Sequence, residues 1–105
     1  MARTLHHPEP ADFELQQVLE ALVDPVRRSI VQQLDAAGFD VKCGDFEIAV
    51  HKSTATHHFK VLREAGLIRQ YYVGTSRFNA LRRDDLDQVF PGLLTALTAP
   101  EASVR

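Results

Sequence analysis

Between positions 52 and 83 the chain carries Lys52, Lys60, Arg63, Arg69, Arg77, Arg82 and Arg83 against the single carboxylate of Glu64, a balance of +6. The flanks are acidic. Residues 1–51 hold four Lys/Arg against nine Asp/Glu, a balance of −5, and residues 84–105 hold Arg105 against Asp84, Asp85, Asp87 and Glu101, a balance of −3. A net charge of −2 therefore hides a cationic segment on an acidic body. Its chemistry is anion recognition. Ser53, Thr54, Thr56 and His57 lie among these cations. All four can hydrogen-bond, and the serine and threonines are short enough to allow a partner's close approach. The competing explanation is an ordinary solvated face.

A second set of residues could hold a metal. His6 and His7 near the start, together with Cys43, offer nitrogen and sulfur donors for Ni or Zn, or a thiol for redox sensing. The opposing explanation is a loose arm and a small buried hydrophobe. One cysteine excludes an internal disulfide and any Cys-only metal site within a chain. Enzyme chemistry lacks a foothold: there is no Gly-rich phosphate loop, no HExxH and no GxSxG. Asp84, Asp85 and Asp87 read as helix N-terminal charge.

These residues must be positioned by a small scaffold. A chain of 105 residues, 45% hydrophobic and 25% charged, predicts one globular domain. With no long apolar run, a cytoplasmic location and no membrane partner are expected. Residues 1–11, with Pro8 and Pro10, read as a mobile arm, 12–99 as the folded domain and 100–105 as a frayed tail. Asp12 is the candidate N-cap of a helix over 13–23, with Leu15, Val18, Leu19 and Leu22 at helical spacing. Asp24-Pro25 caps a second helix running to Ala37 and stopped by Gly38. Residues 39–52 admit either a strand or a short helix over 42–48. Ser53 then caps a helix over 54–65, whose stripe Ala55, His58, Phe59 and Leu62 faces inward and which ends at Gly66. The period changes at Leu67. Gly74-Thr75 predicts a type II′ hairpin with Tyr71 opposite Phe78 and Tyr72 opposite Arg77. A last helix from Asp84 carries Leu86, Val89, Phe90, Leu93, Leu94 and Leu97 across a break at Pro91.

Helix, helix, short helix, turn, helix, hairpin, helix is the order of a mainly α winged helix-turn-helix. The residues then resemble a family. The run from Ala21 to Ile30, ALVDPVRRSI, is similar to the ALxDPxRRxIL opening of ArsR/SmtB-type regulators. The run from Lys52 to Ile68 resembles their S-x-S-x-H-L-x-x-L-x-x-A-G-L-V recognition helix, and a basic, aromatic hairpin follows where their wing lies. The resemblance covers residues 13–98. It implies a homodimeric, sequence-specific DNA-binding transcriptional regulator, usually a repressor, with base-reading positions at Ser53, Thr54, Thr56 and His57.

Two further expectations attach to this reading. Lys52, Lys60 and Arg63 would neutralise phosphates, and Arg77 at the wing would reach the backbone or minor groove. The stripe Leu86, Val89, Phe90, Leu93, Leu94, Leu97, with Leu15, Val18 and Leu19, would form a two-fold dimer interface, and a palindromic operator on double-stranded DNA would mirror it. Many relatives release DNA on binding metal. Their Cys-x-Cys pair is here Val41-Lys42-Cys43-Gly44-Asp45 with one thiol, and the Asp/His site of their last helix has no histidine. No cofactor is therefore firmly expected. The alternative functions are a Ni/Zn- or thiol-responsive sensor through His6, His7 and Cys43, and a winged helix that binds protein instead of DNA.

Overall fold

The computed structural model describes residues 5–99. The fold is mainly helical with a small antiparallel sheet. Helices α1 (Leu15–Val23), α2 (Pro25–Ala37) and α3 (Lys52–Ala65) precede the hairpin strands β2 (Ile68–Val73) and β3 (Ser76–Leu81). Helices α4 (Arg83–Val89) and α5 (Leu93–Thr98) follow. A two-residue strand, β1 (Val41–Lys42), pairs with β3, so the sheet has the order β1-β3-β2. The expected hairpin thus gains a third strand. The short helix considered over 42–48 is absent, replaced by β1 and a 3-10 turn at Cys43–Asp45.

Local signals set the element ends. Asp24 accepts hydrogen bonds from the N–H groups of Val26 at 2.8 Å and Arg27 at 3.2 Å. Burial alone would raise its pKa, but these amides, with the charges of His58 and Arg27, hold the carboxyl below its ordinary value. Gly66 ends α3 at φ +92°. Its N–H donates to Arg63 O, and Leu67 N–H donates to Leu62 O, a Schellman termination. In the hairpin, Gly74 sits at φ +62° while among the described residues no non-glycine residue has positive φ, which fits type II′. Tyr71 pairs with Phe78 and Tyr72 with Arg77, as expected. At Pro91 the last helix breaks: Phe90 leaves helical geometry at φ −128°, ψ 74°, Gly92 turns at φ +84°, and α5 restarts at Leu93.

Two predicted caps are displaced. Neither Asp12 nor Ser53 is an N-cap. Asp12 belongs to a 3-10 turn over Pro10–Asp12 and α1 begins at Leu15. Helix α3 begins at Lys52, after His51, without a side-chain cap. The arm is also more attached than expected from residue 5 onward. His7 Nε2 accepts from Gln70 N–H at 3.0 Å, Pro8 O accepts from Arg82 at 2.8 Å, and the Arg82 guanidinium lies 4.9 Å from the Phe13 ring centre. His7 is held neutral to lower pH than usual, by burial first and then by Arg63 and Arg82. Residues 1–4 and 100–105 of the expected arm and tail lie outside the described residues.

The core joins Val18, Ala21 and Leu22 of α1 to Ile30, Val31 and Leu34 of α2. It continues through Phe59 and Leu62 of α3 to Leu67, Ile68, Leu86 and Leu94. Gly66 closes it beneath the arm, where a Cβ would lie 2.3 Å from the Phe13 ring. Gly66→Ala would add that clash to an unfavourable left-handed backbone. It is expected to destabilise by about 2 kcal/mol, read as a lowered urea midpoint with unchanged m-value.

Candidate nucleic-acid interface

Helix α3 has two distinct faces. One is sealed: His58, Phe59, Leu62 and Ala65 are buried. The Phe59 ring meets Phe46 at 5.3 Å between centroids. The back of the helix is also fixed by polar contacts. Arg27 donates from its Nη1 to His58 Nδ1 at 3.1 Å and from its Nε to Ala21 O at 2.6 Å, tying α3 to the α1–α2 junction. Gln17 Nε2 donates to Glu64 O at 3.2 Å near the end of α3. The helix is thus held on α1, α2 and β2.

The other face is open. Lys52, Ser53, Thr54, Thr56, His57 and Lys60 are all exposed. Thr56 Oγ1 donates back to Lys52 O at 2.9 Å, leaving the hydroxyl oxygen outward as an acceptor. No side chain caps the N-terminus, so the first-turn N–H groups and the positive dipole end accompany Lys52. Six of the eight expected contact residues therefore lie on one exposed surface.

The other two differ. Arg63 turns inward. Its Nη1 donates to Gln70 Oε1 at 2.6 Å, and its Nε is buried without a hydrogen-bond partner among the described residues. Half-buried, Arg63 ties α3 to β2, unlike the six exposed residues. Arg77 lies on β3 near the hairpin tip, half-buried, with its Nε donating to Tyr72 Oη at 3.1 Å and its guanidinium 5.0 Å from that ring's centre. A cation laid on an aromatic plane has fewer accessible rotamers. The hairpin therefore presents Arg77 in a restricted orientation.

Behind the hairpin is a polar cluster that hydrophobic periodicity does not single out. Asn79, fully buried, accepts from Gln70 Nε2 at 2.9 Å. It donates from Nδ2 to Val41 O at 3.1 Å and to Cys43 Sγ at 3.2 Å. The hairpin register already makes Gln70 and Asn79 cross-strand partners, and that register is the signal the sequence offers. The cluster joins α3, through Arg63, to all three strands.

Of the metal candidates, His7 and Cys43 both contact Gln70, through its backbone N–H and its side-chain amide. His6 is exposed, His7 accepts from Gln70, and Cys43 accepts from Asn79. Among the described residues, no three His, Cys, Asp or Glu gather as a metal-holding group.

The expected dimer stripe divides in two. Val18, Leu86 and Leu94 are buried in the protomer's own core, so their assignment to an interface is corrected. Leu15 and Leu19 on α1 are 47% and 45% exposed, and Leu93 and Leu97 on α5 are half-buried. Val89 and Phe90 are likewise half-buried. The division follows from the size of the scaffold. A nine-residue α1 and a six-residue α5 must turn one side inward to cover α2, and only the other side remains available.

No helix among the described residues is long and apolar enough to cross a membrane. No protein-family model matches the chain. The chain is 35% identical over 83 residues to the uncharacterized HTH-type transcriptional regulator YceK of Bacillus subtilis (strain 168), covering 77% of this chain and 83% of that protein. The crystal structure of the ArsR family transcriptional regulator RHA00566 superposes with a TM-score of 0.61 at 22% identity, covering 87% of this chain and 92% of that one. With that relationship and that fold, the chain belongs to the helix-turn-helix type transcriptional regulators, proteins that act on DNA and not as enzymes, and it has the ArsR-type winged-helix architecture.

Proposed function

We propose that the chain binds a specific palindromic operator as a homodimer, with α3 of each protomer in successive major grooves and the β2–β3 hairpin on the flanking backbone or minor groove. One observation carries the reading. The residue types able to read base edges, Ser53, Thr54, Thr56 and His57, share the exposed face of α3 with Lys52 and Lys60, while the opposite face is locked to the core. Lys52 and Lys60 neutralise phosphates, and Arg77 is the wing cation. The exposed Leu15 and Leu19 with Leu93 and Leu97 form the two-fold contact. Repression is the mode that the resemblance to ArsR/SmtB-type regulators supports.

Selection from random duplexes should yield an inverted repeat with half-sites about one helical turn, roughly 10 base pairs, apart. On that duplex, Lys60→Ala should weaken binding to every sequence and lower the slope of log affinity against log salt by about 0.9 for each phosphate left unneutralised. His57→Ala should instead relax preference at one or two positions of each half-site, a discrimination of about 1–3 kcal/mol. Two variants with the same salt slope and the same sequence preference would overturn these roles.

A further inference from the structure

A cavity of about 600 Å³ opens between the C-terminal end of α2, β1, the loop after Cys43, and Phe78 of β3. It lies apart from the exposed face of α3. Its size falls in the range of small-molecule sites. The exposed Phe39 and the ring of Phe78 line it. Phe78 is backed by Tyr71, stacked at 5.9 Å with 17° between planes. Tyr71 Oη in turn donates to Asp40, at the rim.

The wall is fixed before any ligand arrives. Gln33 donates to Glu47 O at 3.0 Å and to Ser29 Oγ at 2.9 Å, and it accepts from Glu47 N–H at 2.9 Å. Its amide is thereby used in holding the loop to α2, and what the lining presents to a ligand is mainly negative. Asp40, Asp45 and Glu47 stand against Lys42 alone. Ala36 and Ala37 bring the carbonyl end of α2 to the wall, and the last turn of α2 has no basic residue to offset that end of the dipole.

Carboxylates, a helix C-terminus and aromatic faces all favour positive charge. The carboxylates do not converge as chelators, since no metal-holding group is found among the described residues. The charge they suit is therefore spread over, or attached to, an apolar body that meets Phe39 and Phe78. We propose that this cavity is an effector site for hydrophobic organic cations, such as aromatic quaternary ammonium compounds. Its route to the hairpin is short. Lys42 pairs with Phe78 on β3, and Phe78 is the neighbour of Arg77. Occupation of the cavity presses on the strand that carries the wing cation. This second step rests on the DNA-binding reading above, whereas the binding step does not.

The test uses the full chain and benzyltrimethylammonium, followed by NMR shift titration, with uncharged N,N-dimethylbenzamide and anionic phenylacetate as comparisons. The cation should bind saturably, with shifts confined to the cavity lining, and about tenfold more tightly than the amide. Phenylacetate should not bind. Phe39→Ala, at a residue 70% exposed and so outside the core, should weaken the cation about tenfold, as should Asp45→Asn combined with Glu47→Gln. Should a variant unfold, wild-type affinity must still fall as salt rises. Equal affinity for cation and amide, or salt-independent binding, overturns the site. Duplex binding is measured first without ligand. Failure there removes the DNA-binding reading, while DNA affinity unchanged at saturating cation overturns only the coupling to the wing.

Discussion

Asn79→Ala should destabilise the protein by about 3–4 kcal/mol, a large part of the 5–15 kcal/mol typical of a domain. Asn79 is fully buried and uses its amide at both ends, accepting from Gln70 and donating to Val41 O and Cys43 Sγ. Removing it leaves the Gln70 Nε2 donor and the Val41 carbonyl short of partners in a dry site, and each such loss costs about 1–3 kcal/mol. A small void adds to this. Asn79→Asp keeps both the size and the acceptor to Gln70 but loses the donor to Val41, while burying a carboxyl. It should be no more stable than the alanine variant. Thermal or urea unfolding of the two variants checks the order. A loss below about 1 kcal/mol for Asn79→Ala would mean that the cluster is solvated and not structural. Local consequences should follow the chain of contacts: amide exchange in β1, held to β3 through this residue, should accelerate more than exchange in α1.

The same cluster shows what one-dimensional patterns can and cannot convey. Where a rule is local, the residues carry it on their own. Asp24-Pro25 opens α2, Gly38 and Gly66 close α2 and α3, and Gly74-Thr75 sets the hairpin register that also brings Gln70 opposite Asn79. The recognition helix is legible for the same reason, since its apolar stripe leaves only one side for Ser53, Thr54, Thr56, His57 and Lys60. The hydrogen bond of Arg63 is invisible to pattern alone because its partner, Gln70, is seven residues away on another element, and helical angle puts Arg63 at the edge of both faces. Residues 39–52 are ambiguous because a two-residue strand and a 3-10 turn are too short to express a period. The leucine stripes pose a different difficulty. Periodicity identifies an apolar face but not what covers it. The packing here divides the stripe between Leu86 and Leu94 inside the protomer and Leu93 and Leu97 near its surface. Nothing in the spacing of Leu5, His7 and Pro8 announces that His7 and Pro8 attach to Gln70 and Arg82, more than sixty residues later.

Leu19→Asp should give a folded monomer whose affinity for the operator is lower by about 10²-fold or more. The choice of position matters. Val18 and Leu22 are buried, so a charge at either would unfold the protomer and reveal nothing about association. Leu19 is 45% exposed, on the side of α1 turned away from the core, and its replacement removes no intramolecular packing of comparable extent. Leu15, at 47% exposed, lies one turn away, and Val23, at 72%, continues the exposed side of α1. On the two-fold arrangement proposed, each substitution acts twice, setting two carboxylates into one apolar contact, where desolvation without a partner is costly. The loss on DNA then exceeds anything expected from one side chain, because the second half-site no longer benefits from the effective concentration that the dimer supplies. Sedimentation would show the monomer, circular dichroism the retained fold, and a titration against single half-site duplex should show wild type and variant binding it alike. A variant that sediments as wild type would place the dimer contact elsewhere. A monomer that keeps full operator affinity would remove the two-fold reading of α3 altogether.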